Sequence, residues 1–289
     1  MNHCGDAYLG RRGGVKAGFL ITGGPVHEQV SLAMAADDAG WDGVFTWDGI
    51  HVGDDMEVHD PWAMMAAFAT ATTRVRLGAI IHPLPRRRPW EVARQSTTVD
   101  QLSKGRLILP VGLGAVDDAG FGGVGEVTDR RTRAERLDES LEILTGLWSG
   151  EAVGYEGRHY RFEPMAFRPT PVQRPRIPVW VVGLWPSVRS MKRVVRYDGF
   201  LPNYRGPTGK IPLDEVRAMR AWLDERSGDR RIDIVMEGTT PDDDPRAAAE
   251  HVEPIAEAGA TWWIESDWST FDVGAMRRRI EAGPPRAGG

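Results

Sequence analysis

The chain has 289 residues, 41% of them hydrophobic and 27% charged, with a formal net charge of −5; this supplies a packed core, excludes a largely disordered chain, and speaks against a nucleic-acid binder, which needs a clustered basic surface. No apolar run reaches the roughly 18 residues of a membrane span, and residues 1–14 lack the apolar segment of a signal peptide, so a cytoplasmic protein with no membrane partner is expected. The single cysteine, Cys4, excludes a disulfide within the chain and a cysteine zinc cluster.

After a Gly-rich leader at 1–14, residues 15–21 read as a buried strand. Val26, Val30, Ala33 and Met34 then recur at helical spacing, and Gly40 closes the helix. The same unit repeats. Residues 43–47 form a second strand with a helix at 61–71, residues 75–82 a third with a helix at 89–102, and residues 107–113 a fourth. The fourth is followed by a long helix at 130–148, with Leu137, Leu141, Leu144 and Trp148 along one stripe. Residues 149–177 break the rhythm with a hairpin signal around Gly157 and a Pro-rich connector, read as an excursion within the domain. The alternation resumes with strands at 179–182, 199–202, 232–237 and 261–265. Their helices start at Pro186 and lie near 213–226, 245–258 and 273–281. Eight strands, each followed by a helix, predict one (β/α)8 TIM barrel over 15–282, with a flexible tail at 283–289.

In such a barrel the active site forms where the strands end. Gly112, Gly114 and Gly183 stand at those exits and let backbone approach a ligand, and the helix after the fifth strand offers N–H groups to an anion. One such glycine alone more often serves a turn with positive φ; the set points to a ligand. Gly112-Leu113-Gly114 lacks the third glycine of a dinucleotide fingerprint, and Asp117 and Asp118 follow, so a Rossmann reading is poor. Arg86, Arg87, Arg88 and Arg94 make a basic entrance that either receives an anion or is a solvated turn. Asp48, His51, His82, Glu237 and Glu265 are the candidate proton-transfer groups, with Asp48 first because it directly follows an apolar strand. No HxH, HExxH or carboxylate cluster suggests a metal. Trp47 and Trp185, at strand exits, are placed to wall a planar ring, and the other tryptophans read mainly as core.

Seven segments carry a family resemblance: AGWDGVFTWD (39–48), RVRLGAIIHPLP (74–85), QLSKGRLILPVGLG (101–114), RAERLDESLEILTGLWSGE (133–151), GRHYRF (157–162), RPTPVQRPRIPVWVVG (168–183) and RYDGFLP (196–202). In this order they resemble the luciferase-like monooxygenase superfamily from Val15 to about Ile280. The resemblance implies a bacterial-luciferase-like barrel whose mouth holds the ring of FMN or of the deazaflavin coenzyme F420, with no metal. It implies a non-prolyl cis peptide at Ile80-Ile81, with Gly78, Ala79, Ile80 and Ile81 propping the ring. The phosphate then falls near Gly112 and Gly114 on one side and Gly183, Leu184 and Ser187 on the other. With FMN the implied chemistry is oxygenation of a small organic substrate by O2, served by a separate flavin reductase. With F420 it is hydride transfer, served by a deazaflavin-reducing enzyme. A homodimer through the early helices is implied as well. Many relatives carry Asp-His after the second strand where this chain has Asp48-Gly49, so either His51 or His82 replaces the imidazole or the chemistry does without it. The acidic residue that follows the strand-four glycines in deazaflavin-dependent sugar-phosphate dehydrogenases is Ala115 here, which argues against that activity. Two further readings are a catalytically degenerate flavin-binding barrel, motivated by Gly49, and a hydrolase using Glu237 and Glu265. The second would require carboxyls roughly 5 to 9.5 Å apart.

Overall fold

The computed structural model describes residues 14–54, 56–115, 119–206, 210–241 and 244–286, so Cys4, Asp117 and Asp118 lie outside the described residues. The strands are β1 (Lys16–Leu20), β2 (Gly43–Thr46), β3 (Arg76–Ala79), β4 (His82–Pro83), β5 (Leu109–Gly112), β6 (Ala152–Glu156), β7 (Arg161–Ala166), β8 (Val179–Trp185), β9 (Gly199–Tyr204), β10 (Asp233–Gly238) and β11 (Trp262–Glu265). All but β6 and β7 join one parallel sheet in the order β3-β2-β1-β11-β10-β9-β8-β5-β4. A parallel bridge between Leu77 and Leu107, with the Ile108 N–H donating to the Leu77 carbonyl at 2.8 Å, brings the two edges together into a nearly closed barrel.

The third wall position, expected as one strand, is divided into β3 and β4, and the Ile80-Ile81 peptide between them is cis. The helices are α1 (Val26–Asp38), α2 (Pro61–Ala71), α3 (Pro89–Leu102), α4 (Arg130–Trp148), α5 (Val188–Val194), α6 (Leu213–Asp224), α7 (Pro245–Glu257) and α8 (Val273–Glu281). Aspartates fix several starts: the side chains of Asp60, Asp129, Asp244 and Asp272 accept N–H bonds from the first turns of α2, α4, α7 and α8. Helix α5 corrects the sequence reading. It begins at Val188, after Pro186 rather than at it, with Ser187 as the N-cap.

Strand alternation sends Leu20, Phe45, Ile108, Trp180, Leu201, Val235, Trp262 and Ile264 into the barrel, where they are buried together. Phe45 lies 5.6 Å from Trp180 and 6.2 Å from Trp262 between ring centres, and the two indoles are 5.1 Å apart. Glycines make room for this plug: a Cβ at Gly78 would meet the Phe45 ring at 3.0 Å, and one at Gly199 would overlap Trp180. The lumen is therefore filled at one end and can receive a ligand only toward the strand exits.

The excursion is a hairpin, β6 antiparallel to β7, docked on α4. The Glu139 carboxylate holds its turn by accepting the backbone N–H groups of Arg158, His159 and Tyr160 at 2.9 to 3.1 Å. The start of the tail is also tied down, with the Arg286 guanidinium 2.6 Å from Asp42. No helix among the described residues is long and apolar enough to cross a membrane.

Candidate active site

A cavity of about 420 Å³ opens at the exits of β2, β3 and β5. Its walls are largely apolar: Trp47, Val52, Met56, Ile80, Ile81, Pro83 and Trp268. The Trp47 indole donates to the Thr22 carbonyl at 2.7 Å and meets Trp268 edge-on at 5.9 Å. Trp268 is 46% exposed, although its sequence context suggested a packing role. Gly49 is explained by the same ring. A Cβ there would stand 2.5 Å from the Trp47 indole, so the site where relatives carry an imidazole is closed to any side chain unless Trp47 moves.

Asp48 borders this cavity, but its side chain is wholly shielded. His82 Nδ1 lies 3.0 Å from its Oδ2, Arg86 Nη2 is 3.1 Å from its Oδ1, and Arg87 approaches Oδ2 with Nε at 2.8 Å and Nη2 at 2.7 Å. Burial by itself would raise the Asp48 pKa. The His82 bond and the Arg87 charge outweigh it and hold the carboxyl below the usual carboxylate range. His82 is fully buried, which lowers its pKa in spite of Asp48, so the imidazole is neutral with its proton on Nδ1, facing the carboxylate. Its Nε2 is buried without a partner among the described residues, and the ring stacks on Trp62 at 4.4 Å. His51 stands apart: its side chain is 52% exposed and lies 3.3 Å from Asp54. The structure thus joins Asp48 to His82 and separates both from His51.

The predicted arginine entrance divides in the same way. Arg86 and Arg87 also line a second cavity, of about 350 Å³, with His59 and Asp60, but both are committed to Asp48. Arg94 packs on the Phe167 ring at 4.1 Å and donates to the Arg168 carbonyl.

The exit glycines take different roles. Gly114 has φ +80°, and a Cβ there would stand 2.7 Å from both Phe121 and Pro83. A Cβ on Gly112 would overlap the tip of Ile81, so this glycine gives Ile81 its place in the cavity wall. Gly183 instead faces outward, where a Cβ would meet Phe200 and Val194 at 2.7 Å, and so serves the packing of α5. The Leu184 N–H is taken by Ser190 Oγ at 2.8 Å and the Ser187 N–H by the Leu184 carbonyl at 2.9 Å. Gly78 lies in the aromatic layer below the mouth, and Ala79 is buried on the outer, helix-packed side.

Arg133 was missed in the sequence. Its Nη1 donates to the carbonyls of Leu113 and Gly114 at 3.1 and 3.0 Å, fixing the β5 exit, while its guanidinium and that of Arg86 each lie 5.1 Å from the Phe121 ring. The signal existed, because Arg133 extends the stripe of Leu137, Leu141, Leu144 and Trp148 by one turn.

The carboxylates of the hydrolase reading do not share a space. Glu265 is buried on the outer side, accepting from the Thr240 N–H and hydroxyl at 2.7 Å each, from the Trp263 indole at 3.1 Å and from Arg279 at 3.3 Å. Glu237 follows the inward-facing Val235 by two residues and so faces the lumen. Among the described residues no group of three or more His, Cys, Asp or Glu could hold a metal ion.

A family model described as luciferase-like monooxygenase matches residues 13–283. The chain belongs to the luciferase-like monooxygenase family. One relative within reach of this family member is an F420-dependent glucose-6-phosphate dehydrogenase of Mycobacterium avium (strain 104), 31% identical over 264 residues, 89% of this chain and 77% of that one. Another of the same name, from Nocardia farcinica (strain IFM 10152), is 29% identical and covers 94% of this chain and 82% of its own. Among solved structures, the monooxygenase RslO1 from Streptomyces bottropensis superposes with a TM-score of 0.76 at 21% identity, covering 93% of this chain and 98% of that one. This likeness supports the luciferase-like barrel.

Proposed function

We propose that this luciferase-like oxidoreductase uses coenzyme F420 and transfers a hydride between its deazaflavin ring and a small organic substrate. The observation that carries the reading is the ring-sized apolar cavity at the β2, β3 and β5 exits, in a chain whose relatives at 29 and 31% identity are named F420-dependent. The residues present fit such a ring. Ile80, Ile81, Trp47, Gly114 and Ala115 would hold it, and Gly112 leaves room for Ile81 to reach the wall. The phosphate-bearing arm is expected beside Gly112 and Gly114 rather than Leu184 and Ser187, whose N–H groups are already bonded. When bound, the deazaflavin supplies a hydride acceptor or donor that does not activate O2.

The chain's own contribution is positioning and exclusion of water. Asp48, with Arg86, Arg87 and His82, ties the β2 exit to the β4 region, and so fixes Trp47 relative to Ile80 and Ile81. Asp48 and His82 are positioning residues in this reading, because neither presents an open side chain. Sugar-phosphate dehydrogenation is not carried over from the relatives, since Ala115 stands where the resemblance places their acidic residue. Fluorescence titration with F420 and with FMN tests the reading. Binding of F420 at least about ten-fold tighter than FMN is expected; tighter binding of FMN, or binding of neither, would overturn it.

A further inference from the structure

Every other candidate proton carrier is engaged. Asp48 and His82 are shielded and bonded to each other, His51 faces solvent beside Asp54, and Glu265 accepts four bonds on the outer side of the wall. Glu237 differs in each respect. It lies on the inward face of β10, level with Ile264 of β11, one pleat above the buried Val235. Among the described residues its carboxyl has no hydrogen-bond or ion-pair partner. The residue is exposed at the end of β10, and partial desolvation by the atoms around it raises its pKa above the ordinary glutamate value.

The strands packed on either side bring no charge to it. The inward position on β9 is Asn203, and on the other side Ile264 of β11 is followed, just past the strand end, by Ser266. The charges that follow along the chain are Arg205 and Asp267; Asp267 is turned onto Ser269, and neither contributes to the Glu237 shift. The rest of the mouth is apolar. Ile50, Val52, Trp268 and Phe271, all from exit loops, keep 39 to 48% of their surface open, and large apolar side chains gathered in the open mark a binding face. Arg86 and Arg87, which border the second cavity, are both bonded to the Asp48 carboxylate, which offsets one of their two charges.

We propose that Glu237 is the catalytic carboxyl that exchanges a proton with the oxygen of an uncharged, largely apolar alcohol or carbonyl substrate. The assignment rests on the F420 reading above. In the oxidative direction the substrate O–H bond breaks and its proton passes to the Glu237 carboxylate. The C–H bond breaks with its electron pair, which leaves as hydride to the deazaflavin-class acceptor, and the carbon–oxygen double bond forms. In the reductive direction the protonated Glu237 returns the proton to the carbonyl oxygen. A carboxyl at this position can accept the proton in one direction and return it in the other.

The test uses the full chain, with F420 as ligand and isopropanol, benzyl alcohol and glucose 6-phosphate as probes. A carboxyl-carbon NMR titration, with the Glu237 signal identified by its loss in E237Q, should give a midpoint above the ordinary glutamate value that moves when F420 binds. Carbodiimide labelling of wild-type Glu237, read by mass spectrometry and suppressed by F420, gives the same readout if the variant does not fold. E237Q should bind F420 within about two-fold of wild type but reduce it with a neutral alcohol about 100-fold more slowly. E237D should recover part of the rate, and the wild-type rate should fall as pH drops through the Glu237 midpoint. A midpoint at the ordinary value, labelling indifferent to F420, or an E237Q rate equal to wild type overturns the assignment alone. Faster turnover of glucose 6-phosphate than of either neutral alcohol overturns the substrate class. A wild-type protein that does not bind F420, or binds it and oxidises none of the probes, overturns the functional reading beneath.

Discussion

Asp48 is the residue on which the most contacts of the site converge, and its replacement separates positioning from proton transfer. Asn in its place keeps the shape but leaves Arg86 and Arg87 without a counter-ion, and Arg86 has a side chain only 2% exposed. Removing one partner of a buried ion pair typically costs about 3 to 5 kcal/mol, so D48N should lose that much in urea denaturation and weaken F420 binding through a displaced Trp47. The pH dependence follows from the same pair. His82 stays neutral in the folded protein while its unfolded counterpart takes up a proton below about pH 6.5. The unfolded chain therefore binds more protons, and stability is lost as pH falls through that value. The depressed Asp48 adds a further loss below the unfolded carboxylate range near pH 4. The thermal midpoint of wild type should fall from pH 7 to pH 5, and more steeply than that of H82Q; parallel curves would show that His82 does not carry the effect. Asp48 and His82 were visible in the sequence as polar residues at strand exits. Their contact was not, because it joins separate strand ends across 34 positions, and His51 looked equally suitable until exposure set it aside.

At the scale of elements, short apolar runs bounded by Gly and Pro marked the wall strands, since both the runs and the turns are local properties. The division of β3 from β4 could be expected only from the family resemblance, because residues 75–82 read as an unbroken strand. The glycines were ambiguous for a different reason: sequence shows that a side chain is missing but not which way it would point. Two substitutions distinguish the outcomes. In G199A the new methyl meets the fixed Trp180 ring inside the plug, and overpacking of this kind costs about 1 to 3 kcal/mol. In G112A it meets the tip of the flexible Ile81, which can turn toward the cavity. G112A should therefore keep most of its stability and bind F420 about five- to ten-fold more weakly, whereas G199A should lose stability with binding by the folded fraction unchanged; calorimetry and fluorescence titration together decide this.

Across the whole molecule, the alternation of strand and helix made the barrel readable, but not its interior. Parallel strands covered on both faces lack a polar side that would reveal orientation, so the eleven tryptophans could not be sorted into plug, outer layer and mouth. The plug and the mouth lie at opposite ends of the same strands, and stability and binding should be separable there. Trp262 is fully buried against Phe45 and Trp180, and its indole N–H has no partner among the described residues. Replacing it with Phe loses apolar surface but also removes an unsatisfied donor, whose burial costs about 1 to 3 kcal/mol, so these effects oppose each other. Replacing it with Ala leaves a cavity in the floor of the barrel, a change of about 3 to 5 kcal/mol. W262F is thus expected within about 1 kcal/mol of wild type and W262A well below it, with both binding F420 normally at temperatures where they are folded. If W262F were as damaging as W262A, the indole nitrogen would have to be bonded in solution, for example to a buried water, and the plug would be held by polar contact as well as by shape.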